Sequence, residues 1–188
     1  MGLTSCGSDS KQEDPQPVVS ATPSELSMAR TMTYPAASSR NNGLSYTQQT
    51  LSGAAVLEEK RFYLNFVAPE GVDRVNFEVP RTALSPGLTG TYPVLSRSNS
   101  GGVVPALYVY YRVNVATSLS GSLYYSAQNQ AQGQLTITAY DATRKLISGT
   151  YEMQLTNIHD PLEGPLPSST ALRCDVNLTG SFKDLKVE

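Results

Sequence analysis

The chain has 188 residues, 39% hydrophobic and 16% charged, which is enough for one good-sized core. A formal charge of −2 without any basic run excludes a nucleic-acid phosphate footprint and a polybasic membrane patch. One His, two Cys and no Trp exclude His-rich and four-Cys zinc sites and disulfide-dense scaffolds, and abundant Ser, Thr, Gly and Tyr suit strands and turns better than surface helices.

The order Leu3, Thr4, Ser5, Cys6, Gly7 has the form of a bacterial lipoprotein cleavage site, with Cys6 as the acylated new N-terminus. The charged and apolar stretch that precedes such a Cys would lie upstream of Met1, because a signal peptide needs about 15–30 residues. Residues 1–39 are therefore read as a lipoprotein-type N-terminus and flexible tether, since the stretch after Cys6 is dominated by Ser, Thr, Pro, Gln and acid and cannot offset its ordering entropy by burial. A short helix over residues 24–32 is the one element expected there, started by Ser24 and burying Leu26, Met28 and Met32. The tether carries Asp9, Glu13, Asp14 and Glu25 against Lys11 and Arg30, which accounts for the whole net charge and leaves residues 40–188 neutral. No apolar window approaches 18 residues, so membrane attachment would come from acyl chains on Cys6.

Residues 40–188 are expected to form a single all-β domain. Phe62, Leu64 and Phe66, then Val75, Phe77 and Val79, alternate on either side of the turn residues 69–73, which is the pattern of a hairpin. Residues 107–115 put Leu107, Val109 and Tyr111 on the expected inner face, with residues 119–127 as partner strand. Residues 135–139 and 146–156 alternate about a turn at 141–144, and a last pair of strands is expected at 172–178 and 182–187. With further strands at 44–51 and 92–95, about 8–10 strands predict an antiparallel β-sandwich or flattened β-barrel. Gly90, Gly121, Gly149 and Gly180 each precede Ser or Thr and then a large apolar residue, and are read as bulges or bends rather than a true repeat. Cys174, in the penultimate strand, is expected to be a buried small hydrophobe, with a Cys6–Cys174 disulfide as the rival reading.

Over residues 85–187, the order Gly90-Thr-Tyr92, Leu135-Thr-Ile-Thr-Ala-Tyr-Asp141, Leu146-Ile-Ser-Gly-Thr-Tyr-Glu-Met153 and Val176 to Phe182 resembles a family of lipoproteins from Bacteroidota-type bacteria, domain of unknown function 6252. The chain departs from that pattern in having Tyr151 where the family usually shows Phe, and in a long loop before the final strand. The resemblance implies an all-β, envelope-anchored outer-membrane lipoprotein and supplies no catalytic residues.

Chemistry is sparse. A nucleophile needs a base within hydrogen-bond reach, the only imidazole is His159, and no Gly-x-Ser-x-Gly elbow occurs, so no catalytic residue, cofactor or metal is assigned. His159 followed by Asp160 reads as a solvated loop pair, and Asp160 with Glu163 supplies only a fragment of a calcium site. Binding is better served. Tyr108 and Tyr110, with Tyr124 and Tyr125 on the partner strand, form a candidate aromatic platform for a sugar or a protein, the alternative being that they are core edges. The loop 157–170, stiffened by Pro161, Pro165 and Pro167, is a candidate partner loop carrying His159, Asp160 and Glu163. The expectation is a noncatalytic, lipid-anchored envelope protein with a protein or glycan partner; a lipocalin-like binder of a small apolar ligand and a carbohydrate-binding module are the alternatives.

Overall fold

Period-two burial runs through residues 61–67, 73–80 and 146–155 of the computed structural model, which describes residues 24–69, 72–114, 118–163 and 172–188. Its strands are β1 (Glu25–Thr33), β2 (Asn42–Thr47), β3 (Ser52–Leu57), β4 (Arg61–Val67), β5 (Asp73–Pro80), β6 (Gly90–Pro93), β7 (Ala106–Asn114), β8 (Ser118–Tyr125), β9 (Gln130–Asp141), β10 (Leu146–His159) and β11 (Arg173–Lys186). They form two unclosed sheets, ordered β2-β1-β11-β10-β9-β6 and β3-β4-β5-β7-β8, and every strand pair is antiparallel. The architecture is a β-sandwich rather than a barrel.

The two sheets meet through aromatic side chains. Phe66 of β4 stacks on Tyr151 of β10 with ring centroids 4.7 Å apart, and also approaches Phe182 of β11 at 5.6 Å; Phe77 of β5 reaches Tyr151 at 5.2 Å. These rings fill the space between the two sheets at this level of the sandwich. Gly180 makes the Tyr151 position possible: a Cβ built there would lie 2.2 Å from the Tyr151 ring and 2.5 Å from the Ser27 carbonyl oxygen. Tyr151 and Gly180 are direct cross-strand partners, so the glycine leaves room for the ring beside it.

Four expectations are corrected. Residues 25–33 are neither tether nor helix but β1, held between β2 and β11. Leu26, Met28, Arg30, Met32 and Tyr34 follow a two-residue period; the charge of Arg30 interrupts it on paper, whereas in the fold Arg30 is 2% exposed and sits in line with buried Met28 and Met32. The stretch 44–51 spans β2, a turn and the lead into β3, which belongs to the other sheet. The last two runs are one strand, β11, because Gly180 stays within the ladder. Finally, β7 faces the other way: Ala106, Tyr108 and Tyr110 pack toward the core, while Leu107 and Tyr111 are half-buried on the outer face and Val109 between them is buried outside the core cluster. The hairpins β4–β5, β7–β8 and β9–β10 have the expected pairings.

Candidate functional site

The two candidate sites read from the sequence do not form as expected, but they meet. Tyr108 and Tyr124 are buried, with ring centroids 5.9 Å apart, and Tyr110 packs against the core, so three of the four platform tyrosines are not an outward surface. Only Tyr125, 45% exposed, faces out. The Tyr124 hydroxyl donates to the His159 carbonyl oxygen at 2.7 Å, tying the tyrosine strand to the end of β10. A groove of about 410 Å³ opens there, lined by Ser122, Leu123, Tyr124, Gln128, His159 and Arg173 among others.

Asp160 is buried rather than solvated. Its Oδ1 accepts from the Tyr34 hydroxyl at 2.8 Å and from the Leu162 amide at 2.8 Å, while its Oδ2 accepts from Arg40 at 2.7 Å. Arg40 also reaches Glu163 at 3.5 Å and lies over the Tyr34 ring, 5.2 Å from its centroid. Glu163 in turn accepts from the Leu172 amide at 3.2 Å. The candidate loop residues therefore close the sandwich end. Residues 164–171, with Pro165 and Pro167, lie outside the described residues, as does Cys6.

A second buried carboxylate joins the sheets. Asp73 of β5 accepts from the hydroxyls of Tyr46 and Tyr108 at 2.6 Å each and from Arg30 Nε at 3.3 Å, and Arg30 also donates to Asn42. Burial works against the charge on Arg30, but neighbouring Asp73 more than offsets it and raises its pKa. Cys174 is a free, buried thiol pushed up to about 12 by burial and then by the field of Asp160. Such a thiol is a poor nucleophile. Among the described residues, no buried side-chain polar atom of these networks is left without a hydrogen-bond partner.

The surface that the sequence reading missed is the outer face of the six-stranded sheet. Cross-strand register aligns Thr91, Thr136, Thr150, Ser181, Ser27 and Thr47 in one row over all six strands. At about 4.8 Å between strands the row is roughly 24 Å long. Neighbouring hydroxyls approach: Thr91 and Thr136 at 3.2 Å, Ser27 and Ser181 at 2.7 Å. The next two rows are Pro93–Gln134–Glu152–Thr179–Ala29–Ser45 and Gln132–Gln154–Asn177–Thr31–Gly43, with Gln132 donating to Gln154 at 2.6 Å. Glu152 is the only charged residue in the three rows. Two hollows, of about 330 and 240 Å³, flank it and share Gln134 as a wall. Charge is confined to the margins, where Glu25 pairs with Lys183 at 2.8 Å. The face presents donors and acceptors at a regular spacing with little net charge.

No charge cluster draws attention to this face in the sequence. Its β1 and β2 rungs lie in segments read as tether or as a single strand, and the row exists only once register is set. Comparison of the chain with protein-family models, with curated proteins and with solved structures finds no match.

Proposed function

We propose that this protein is a noncatalytic binding module of the bacterial cell envelope, anchored through acyl chains on Cys6, whose ligand is an extended hydroxyl-rich chain of the polysaccharide class. The six-strand hydroxyl row of Thr91, Thr136, Thr150, Ser181, Ser27 and Thr47 carries the binding part of this reading. Hydroxyl and amide groups both donate and accept, as sugar hydroxyls do, so such a face exchanges water for polyol without burying an unpaired charge. Glu152 supplies a carboxylate able to accept from two adjacent sugar hydroxyls. The anchor rests on the Leu3-Thr-Ser-Cys6 order and on the lipoprotein resemblance.

Affinity electrophoresis of the full chain carrying Cys6→Ser, through gels holding a panel of neutral and acidic polysaccharides, tests the binding. Retardation on at least one neutral polysaccharide, weakened by Glu152→Ala with Gln154→Ala and little changed by salt, is expected. Unretarded migration across the panel, or retardation indifferent to both substitutions, overturns it. Palmitate labelling of the precursor in a bacterial host tests the anchor: label lost on Cys6→Ser supports it, and no label in either chain refutes it.

A further inference from the structure

Among the described residues each sheet has two edges, and three of the four are short or covered. β6 has four residues and ends at Pro93, and β2 has six. β3 is capped by the C-terminus, where the Glu188 amide donates to Ala55 at 2.9 Å and the Leu57 amide to Glu188 at 2.8 Å. β8 differs. It runs for eight residues, Ser-Leu-Ser-Gly-Ser-Leu-Tyr-Tyr, with no charge and no proline, and its register with β7 is unbroken from Leu107–Tyr125 to Asn114–Ser118. Charges, prolines and bulges are the usual guards of a sheet edge, and β8 has none of them. Among the described residues three large hydrophobics are exposed, and two are on β8: Leu123 at 55% and Tyr125 at 45%.

The sequence of this edge is a palindrome. Leu119-Ser120-Gly121-Ser122-Leu123 reads identically in both directions about Gly121. Two copies of a strand related by a two-fold axis pair antiparallel, so a residue at a given offset from the axis meets the residue at the opposite offset. With the axis at Gly121, Leu123 meets the other copy's Leu119, Ser122 meets Ser120, and Gly121 meets itself. A palindrome matches itself residue for residue only in this register, since moving the axis to Ser122 sets Leu123 opposite Gly121 and Tyr124 opposite Ser120. Tyr111 adds to the match, because its ring lies over Gly121, where a Cβ would stand 2.9 Å away. The axis thus passes beside an aromatic ring from each copy.

We infer that β8 is a homodimerisation edge, joining two five-stranded sheets into one ten-stranded sheet about a two-fold axis at Gly121. The polar face proposed for ligand lies on the other sheet, so the two readings stand or fall separately.

Sedimentation equilibrium of the full chain with Cys6→Ser should give twice the monomer mass. Leu123→Lys, at an exposed site, should return the monomer with an unchanged far-UV spectrum, its melting temperature no longer rising with protein concentration. The register is tested by oxidative cross-linking in a Cys6→Ser, Cys174→Ala background. Chains with Leu119→Cys mixed with chains carrying Leu123→Cys should form a covalent dimer, whereas each variant alone should not. A monomer at every concentration, a dimer that survives Leu123→Lys, or cross-linking within a single variant overturns the proposal. Unimpaired polysaccharide binding by a monomeric chain would leave the ligand reading intact.

Discussion

Arg30 of β1 and Asp73 of β5, from opposite sheets, form an ion pair 3.3 Å apart in which neither side chain is more than 3% exposed. The pair is completed by Tyr46 and Tyr108 on the carboxylate and by Asn42 on the guanidinium. Breaking one half of a buried pair strands the other charge, which costs about 3–5 kcal/mol. Asp73→Ala is therefore expected to lose about that much stability. Urea unfolding at neutral pH checks it, and a loss below 1 kcal/mol would mean that Arg30 escapes to solvent.

Alkaline pH should unfold the protein through its tyrosines. Burial raises the pKa of Tyr34, Tyr108 and Tyr151 above the ordinary value, with the carboxylates of Asp160 and Asp73 adding to the effect at the first two. In the unfolded chain these hydroxyls ionise near pH 10. Below that pH the folded and unfolded states hold the same protons and the contribution is constant. Above it the unfolded state gives up protons that the fold retains, so stability falls by about 1.4 kcal/mol per pH unit for each such tyrosine. Tyrosinate absorbance from these residues should appear together with loss of the β-sheet circular dichroism. Their complete ionisation with the spectrum intact would contradict their placement.

Cys174 should be silent in the folded protein. With Cys6→Ser removing the other thiol, a disulfide reagent at pH 8 is expected to react only at the rate of global opening, because burial holds this thiol up at about 12. Reaction should become immediate in denaturant. A fast native reaction would show that the strand start at Arg173 opens locally.

Gly180→Ala places a methyl group against the Tyr151 ring and the Ser27 carbonyl oxygen. Overpacking of this kind costs about 1–3 kcal/mol. Tyr151→Leu in the same chain should recover part of the loss, since the two residues share one space and their effects are not additive. Thermal melts of the two single variants and the double variant measure that coupling.

The sequence by itself determined the class of this protein. Strict two-residue alternation at Phe62–Phe66, Val75–Val79 and Leu135–Ala139 is a local property of the chain, and so are the turns between those runs. Hairpin pairing therefore came with it, as adjacent strands joined by a short turn have little choice of partner. What only the tertiary structure decided were the matters that depend on a distant partner. Arg30 is a core residue because Asp73 meets it from forty-three positions away, and β1 is a strand because β11, from the other end of the described residues, pairs with it along its whole length. Tyr108 turns inward because the same carboxylate receives its hydroxyl, and Asp160 is buried because Tyr34 and Arg40 reach it from the start of the chain. The hydroxyl row is the furthest from view: its six residues come from six strands, and no property of any one strand reveals that they align. Burial of a polar group is favourable only when its partner is already in place, and the partner is supplied by the fold, not by the neighbouring sequence.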